Sequence, residues 1–302
     1  MSAVQVESGP DAGAIWHFGE PNTEQKVLLS GNGWVNLSHK SIISISGEDR
    51  LSWLHSITTQ DFENISQGVW RVALILDAQG HISHQFIFME DGENVWIVTD
   101  KFKEAEIIAY LEKMKFMLRV EIKKRSGEFA LVRAPGQPDE VGGPFKLISL
   151  GEFETFKNDF LRDYKELGIW ALEAERVAAG RARILFETDH KTIPNELAML
   201  GHEVHMKKGC YRGQETVAKV FNLGQPPRRL VLLHLDGSNV ELPKHGDAIY
   251  LDGKEVGVLG SVARHYELGP IGLALVKRNT PSTSTLIVAG IAASQELLVS
   301  VE

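Results

Sequence analysis

The octad KGCYRGQE, at residues 208–215, is the densest cluster of chemically reactive side chains in the sequence. Lys207 and Lys208 precede the single cysteine, Cys210, and Arg212 follows it. Nearby cations favour the thiolate, which is the form of cysteine that attacks electrophiles and binds metals. The alternative is a capped turn in which the cysteine only packs as a small apolar side chain. The residue types alone leave both interpretations open.

The residues after the cysteine predict the start of a helix. Gln214 and Glu215 place polar groups at its first turn, and the pattern continues through Val220. Such a helix would add the positive partial charge of its N-terminus near the thiol. Gly209 and Gly213 permit backbone conformations or close approaches that other residues resist.

On the C-terminal side, short β-rich runs alternate with Gly, Asp and Pro. This spacing predicts a small antiparallel barrel. The predicted strands are 229–235, 248–251, 255–262, 271–276, 285–288 and a closing strand at 297–301.

On the N-terminal side, strand and helix signals alternate as in an α+β domain. Ser41–Ser46 reads as a strand, and a capping box over residues 46–49 predicts a helix that buries Leu51, Trp53 and Leu54. The remaining elements predicted before the octad are strands at 72–76, 82–88 and 95–99 in an antiparallel meander, a helix capped by Asp100 with apolar residues from Ile107 to Leu118, a loop at 134–144, a helix at 170–179 and an irregular stretch at 181–209.

Composition limits the classes of function. The 302 residues are 43% hydrophobic and 24% charged, which excludes a disordered or fibrous chain. A net charge of −8 disfavours direct binding to nucleic acid or to a membrane surface. One cysteine excludes an intrachain disulfide. The sequence holds no apolar run of about 18 residues and no signal-peptide pattern at its start, which predicts a cytoplasmic location.

Two histidine pairs have a spacing that can hold a metal. They are His81 with His84 and His202 with His205. In a strand, positions three apart face opposite sides of the sheet. We therefore predict no metal site from this chain.

KGCYRGQE resembles the KGCYxGQE signature of the YgfZ family, the folate-binding relatives of the glycine-cleavage T-protein. Three further segments resemble that family in the same order: residues 47–61, the Asp77-Ala78-Gln79-Gly80 turn, and Thr192-Ile193-Pro194-Asn195-Glu196. The resemblance spans roughly Ser41 to the C-terminus.

The resemblance implies an α+β, T-protein-like ring of three domains, at residues 1–133, 134–224 and 225–302, the last being the barrel. It implies tetrahydrofolate or a related reduced folate bound in the centre. It also implies a role in assembly or repair of iron-sulfur clusters, with client enzymes such as those that thiolate tRNA, or assembly proteins, as partners. An alternative is a folate-dependent one-carbon transferase or demethylase, and another is a scaffold.

Carried onto this sequence, the resemblance suggests two sets of site residues. The candidate catalytic residues are Cys210 and Lys208. The candidate folate contacts, chosen for a pterin edge and an acidic glutamate tail, are Tyr211, Gln214, Glu215, Glu196, Arg228 and Arg229.

The sequence departs from the T-protein pattern at two places. After the Gly80 turn, His84 and Gln85 stand where T-proteins carry a carboxylate pair, so we expect no glycine-cleavage aminomethyl transfer. In the helix that ends at Gly180, Ala178 replaces a glutamate that relatives use for the pterin, which leaves Glu173 or Glu175 as substitutes.

Overall fold

A computed structural model describes residues 2–238 and 241–299 and divides them into two compact units. Unit 1 comprises residues 2–75, 84–172 and 207–211. Unit 2 comprises residues 76–83, 173–206, 212–238 and 241–299. Each unit is assembled from separate chain segments, and the octad 208–215 contributes to both.

Unit 1 combines strands and helices as the α+β prediction requires. The elements are β1 Val4–Gln5, β2 Ile15–His17, α1 Pro21–Leu29, β3 Gly33–Asn36, β4 Ser41–Ser46, α2 Arg50–Ile57, β5 Arg71–Leu76, β6 Ile82–Glu90, β7 Asn94–Thr99, a 3-10 helix Lys101–Lys103, α3 Glu104–Lys115, β8 Glu121–Lys124, β9 Phe129–Arg133, β10 Phe145–Ser149, α4 Leu150–Asp159 and β11 Lys165–Leu167. The five-stranded sheet has the order β5-β6-β7-β4-β8, with β4 and β6 each antiparallel to β7. A four-stranded sheet has the order β10-β9-β3-β11, and β1 pairs with β2.

The core of unit 1 follows from the pattern of its strands. Residues of β6 alternate between buried and partly buried, so Phe86 and Phe88 face the interior. They join Leu54 of α2 and Leu111 of α3 in one apolar cluster that has Phe62 stacked on Phe88. The burial of α2 and α3 against the sheet therefore fixes the turn that follows α2.

Unit 2 contains the predicted barrel. The strands and remaining helices are α5 Ile169–Ala178, which begins in unit 1, a 3-10 helix Pro194–Glu196, α6 Gln214–Leu223, β12 Arg228–Leu235, β13 Ala248–Leu251, β14 Lys254–His265, β15 Gly269–Lys277, β16 Leu286–Val288 and β17 Ile291–Leu297. The barrel strands close in the order β12-β15-β14-β13-β16-β17, and every neighbouring pair is antiparallel. Within residues 181–209, all of them described, the 3-10 helix is the only regular element, so the prediction of an irregular stretch is confirmed.

Two local predictions are wrong, and a third holds only in part. The last strand is Ile291–Leu297, not 297–301, and residues 300–302 lie outside the described part of the chain. The capping box is not formed, because Ser46 belongs to β4 and the carboxylate of Asp49 accepts from the backbone of Arg119 at 2.8 Å. Asp100 does lie at the predicted N-cap position, but of the 3-10 helix Lys101–Lys103 that leads directly into α3, and its carboxylate binds Lys40 at 2.5 Å.

The end of α3 also differs from its prediction. The helix ends at Lys115, and Phe116 adopts a positive φ of 49°. Met117 is consequently 85% exposed, although its spacing placed it on the apolar face. Across the described residues, each helix is too short or too polar to cross a membrane.

Candidate functional site

The segment 207–211 presents Cys210 to solvent in unit 1. The thiol is free and exposed, as the sequence predicts for a reactive cysteine. Lys207 and Gly209, the neighbours of Lys208, are also exposed. The packing explanation of the cysteine therefore has no support from its surroundings.

Lys208 is the buried residue of this segment. It is 8% exposed, and its Nζ donates to the backbone carbonyls of Thr58 at 2.7 Å, Gln60 at 3.1 Å and His55. The ring of Tyr211 lies 5.0 Å from the same nitrogen. Burial lowers the pKa of Lys208 to about 8, against the attraction of nearby carboxylates. Burial also raises the pKa of Tyr211 to about 12.

A histidine lies beside the cysteine-bearing backbone. His55 Nδ1 is 3.2 Å from Asp61 Oδ1, and both side chains are mostly buried. A Cβ placed on Gly209 would lie 3.6 Å from His55 Nε2. Sequence reasoning did not assign these two residues to the site, although both fall within the segment 47–61 that carries part of the family resemblance.

In unit 2, the second half of the octad packs on the Asp77–Gly80 turn. Gly213 has a φ of 80°, and a Cβ there would approach the carbonyl oxygen of Asp77 to 2.5 Å. A Cβ on Gly80 would come within 2.8 Å of Thr216. The close approach of the turn and the octad thus requires glycine at both position 80 and position 213, and it fixes the first turn of α6. In that turn, Gln214 is half-buried and Glu215 is exposed.

Glu196 and Arg228 are brought into direct contact in unit 2. The guanidinium donates to both Glu196 oxygens, at 2.8 and 2.9 Å, and to Asp189 at 2.6 Å. Burial disfavours the ionised form of Asp189, but the bonds from Arg228, Lys191 and Thr192 outweigh it and hold the pKa of that carboxyl well below its usual range. The Glu196 carboxylate also accepts from the backbone of Ile193 at 3.1 Å.

Arg229 and Asn195 have different surroundings. Arg229 is 2% exposed and donates to the backbone carbonyls of Arg278 and Thr280. Asn195 donates to the carbonyl of Val217 in α6 at 3.1 Å. Its Oδ1 is buried and has no hydrogen-bond partner in the part of the chain that the structure describes.

The two carboxylates suggested as substitutes for the missing pterin ligand are engaged in ion pairs. Glu173 accepts from Arg176 at 2.9 Å, and Glu175 binds Arg181. Arg176 also reaches Glu187, a carboxylate with no exposed side-chain surface, which accepts from the backbone of Ser261 at 2.7 Å. These ion pairs, together with the hydrogen bond from Ser261, hold α5, the irregular stretch and strand β14 together within unit 2.

His84 faces the core of unit 1. It is 4% exposed, its ring lies 5.8 Å from that of Tyr110, and burial lowers its pKa to about 4. The imidazole is therefore neutral at physiological pH. Within residues 2–238 and 241–299, no group of three or more His, Cys, Asp or Glu side chains is arranged to hold a metal ion.

Comparison with known proteins places this fold. Residues 16–136 match the GCVT N-terminal domain, and residues 228–301 match the glycine cleavage T-protein C-terminal barrel domain. The crystal structure of the glycine cleavage system aminomethyltransferase T from Bartonella henselae superposes with a TM-score of 0.81 and 15% identity, covering 98% of this chain and 92% of that one. The fold is therefore that of the aminomethyltransferases.

Two curated relatives extend the comparison. A putative chloroplastic transferase of Arabidopsis thaliana is 28% identical over 96% of this chain and 76% of its own. The mitochondrial iron-sulfur cluster assembly factor IBA57 homolog of Cryptococcus neoformans is 24% identical over 67% of this chain and 66% of its own. Because both T-protein domains match and together span the greater part of the sequence, the chain belongs to the family of T-protein-like proteins.

Proposed function

We propose that this protein binds a reduced folate and supports the assembly or repair of iron-sulfur clusters. The observation that carries the proposal is the exposed Cys210 thiol on a segment anchored by a buried lysine. Thiolates are the ligands of iron-sulfur clusters, and the IBA57 homologs are named as assembly factors for them. A single thiolate cannot complete a cluster site, so the remaining ligands would come from client enzymes or other assembly proteins.

The test is complementation of a strain that lacks this protein. Cys210→Ser should fold normally, because the side chain is exposed, and should fail to restore aconitase-type or tRNA-thiolation activity. Lys219→Ala, at an exposed position of α6, should restore both. Full restoration by Cys210→Ser would leave the thiol without a role and contradict the proposal.

The folate part of the proposal is supported by the family and by one feature of unit 2. The buried Oδ1 of Asn195 needs a donor, and a pterin edge offers N–H groups. Tyr211, Gln214 and Glu215 remain proposed contacts from the octad. Arg228 and Arg229 fit a glutamate tail less well, since both already donate to protein acceptors. The residues present thus fit the pterin better than the tail.

Calorimetric titration with tetrahydrofolate tests this part. Asn195→Ala should weaken binding about fivefold, because one hydrogen bond is worth about 1 kcal/mol. Asn222→Ala, on an exposed turn of α6, should leave the affinity unchanged. The absence of saturable binding to the wild-type protein at millimolar ligand would overturn the folate proposal.

A one-carbon transferase is the second candidate, favoured by the aminomethyltransferase fold. The residues of β6 disfavour glycine-cleavage chemistry, because Gln85 cannot ionise and burial lowers the pKa of His84 to about 4, which makes its imidazole a weak base. We expect no T-protein turnover in a reconstituted glycine-cleavage system. Turnover that is abolished by His84→Ala would contradict this expectation. A cytoplasmic location stays a prediction, since the relatives named above are chloroplastic and mitochondrial.

A further inference from the structure

The end of helix α2 leaves backbone carbonyls without their usual donors. In a continuing helix, the carbonyl of His55 would accept from the amide of Thr59. That amide donates instead to the carbonyl of Leu74 in β5 at 3.0 Å. The chain therefore leaves the helix at this point with the His55 carbonyl unmatched, as happens at helix C-termini.

The turn after α2 is fixed in place by strand β5. The backbone of Leu74 donates to Thr59 Oγ1 at 2.9 Å, and Gln60 Nε2 donates to the carbonyl of Val72 at 2.9 Å. Thr58, Thr59 and Gln60 are all buried. The carbonyls of Thr58 and Gln60 are consequently held in fixed positions, where water cannot easily satisfy them.

Lys208 satisfies all three carbonyls at once. An ammonium group has three N–H donors and no acceptor, and His55, Thr58 and Gln60 each take one. Its positive charge also suits the negative end of the α2 dipole. With every hydrogen engaged, the group has no donor left for a substrate.

We infer that Lys208 is a positioning residue that clamps the cysteine-bearing segment 207–211 onto the end of α2 and the turn 58–60. The family resemblance suggests a catalytic role for this lysine, whereas in the structure its ammonium group binds three backbone carbonyls. The inference rests on the proposed function only in taking Cys210 as the group that is presented.

Lysine is specifically suited to this clamp. Three acceptors that converge on one nitrogen match a compact ammonium, whereas a guanidinium spreads its donors in a plane. An electrostatic role toward the thiol would be preserved in Lys208→Arg. A positioning role would be lost in Lys208→Arg and Lys208→Met alike, and this difference separates the two explanations.

The first experiment measures amide hydrogen exchange by peptide mass spectrometry in the purified full chain. Lys208→Met and Lys208→Arg should each speed exchange in residues 58–60 and 208–211 at least tenfold. Lys207→Met, at the exposed neighbour, should leave it unchanged. Wild-type exchange in Lys208→Met, or in Lys208→Arg, would overturn the inference.

The second experiment measures the alkylation rate of Cys210 by iodoacetamide at fixed pH. The alkylation rates of Lys208→Met and Lys208→Arg should differ from the wild-type rate in the same direction, because both substitutions release segment 207–211 from the turn 58–60. A wild-type rate in Lys208→Arg would assign the effect to charge and contradict the clamp. Because the readout is thiol chemistry in the purified protein, it stands even if complementation shows that iron-sulfur assembly is not the function.

Chemical rescue with a small cation tests the clamp even if a Lys208 variant does not fold by itself. Methylammonium, which carries three N–H donors, should slow exchange in Lys208→Ala or restore its refolding. Tetramethylammonium at the same ionic strength carries none and should do neither. Equal effects of the two cations, or no rescue by methylammonium, would contradict a clamp made of three hydrogen bonds.

Discussion

One methyl group at position 213 would collide with the turn that holds the octad in unit 2. Gly213 combines a φ of 80° with 2.5 Å between a Cβ and the carbonyl oxygen of Asp77. Gly201 has a similar φ of 88° but no described atom within 4 Å of its Cβ position. Gly213→Ala should therefore destabilise the fold by about 3 kcal/mol, and Gly201→Ala by about 1 kcal/mol. Chemical denaturation measures both, and equal losses would show that the close approach does not matter.

The buried His84 makes stability depend on pH. Its pKa of about 4 in the folded chain is below the ordinary 6.5, so the unfolded chain binds more protons between those values. Stability is fully present above pH 6.5 and should fall by about 3 kcal/mol as pH drops to 4. In His84→Gln, urea denaturation should show this component missing. His190→Gln, at an exposed position, should keep the pH-dependent component of stability. An unchanged pH profile in His84→Gln would show that this component does not come from His84.

The Glu187 carboxylate joins the irregular stretch 181–209 to the barrel. It accepts from the backbone of Arg183 at 2.8 Å and of Ser261, in β14, at 2.7 Å. Glu187→Gln replaces an acceptor with a donor that faces these amides, so we expect a loss of about 3 kcal/mol in unfolding free energy. Glu296→Gln removes an exposed pair with His234 and should change it by less than about 0.5 kcal/mol. Equal losses of unfolding free energy in the two variants would argue against a stabilising role of the buried Glu187 carboxylate.

Elements and site differ in how far the sequence predicts them. Strand β4 and five of the six barrel strands, β12 to β16, follow local patterns of apolar residues and turns, which is why their positions could be predicted. The end of α3 was missed, because Met117 continues the apolar spacing although the chain turns at Phe116. The role of Lys208 could not be predicted, since its acceptors are main-chain carbonyls about 150 residues earlier, which every residue type offers.

The barrel strands come from one continuous stretch of the chain, whereas unit 1 is built from three separate segments. We expect residues 225–302 to melt cooperatively as an isolated fragment, because β12 to β17 close with their own apolar core. Its melting temperature should be lower than in the full chain, since Glu187 is absent. Residues 84–172 alone lack β4 and β5 of their sheet and should stay unfolded. Circular dichroism checks both, and a barrel fragment without a transition would contradict the predicted boundary at residue 225.

The clamp made by Lys208 also has a consequence for the timing of synthesis. Its acceptors at His55, Thr58 and Gln60 precede it by 153, 150 and 148 residues. At about 5–20 residues per second, a ribosome needs on the order of 10 s to deliver the lysine after the helix has emerged. During that interval, the three carbonyls lack the ammonium group that satisfies them in the folded protein. The first unit is thus completed only when segment 207–211 leaves the ribosome, so a product truncated before Lys208 keeps the turn 58–60 without its clamp.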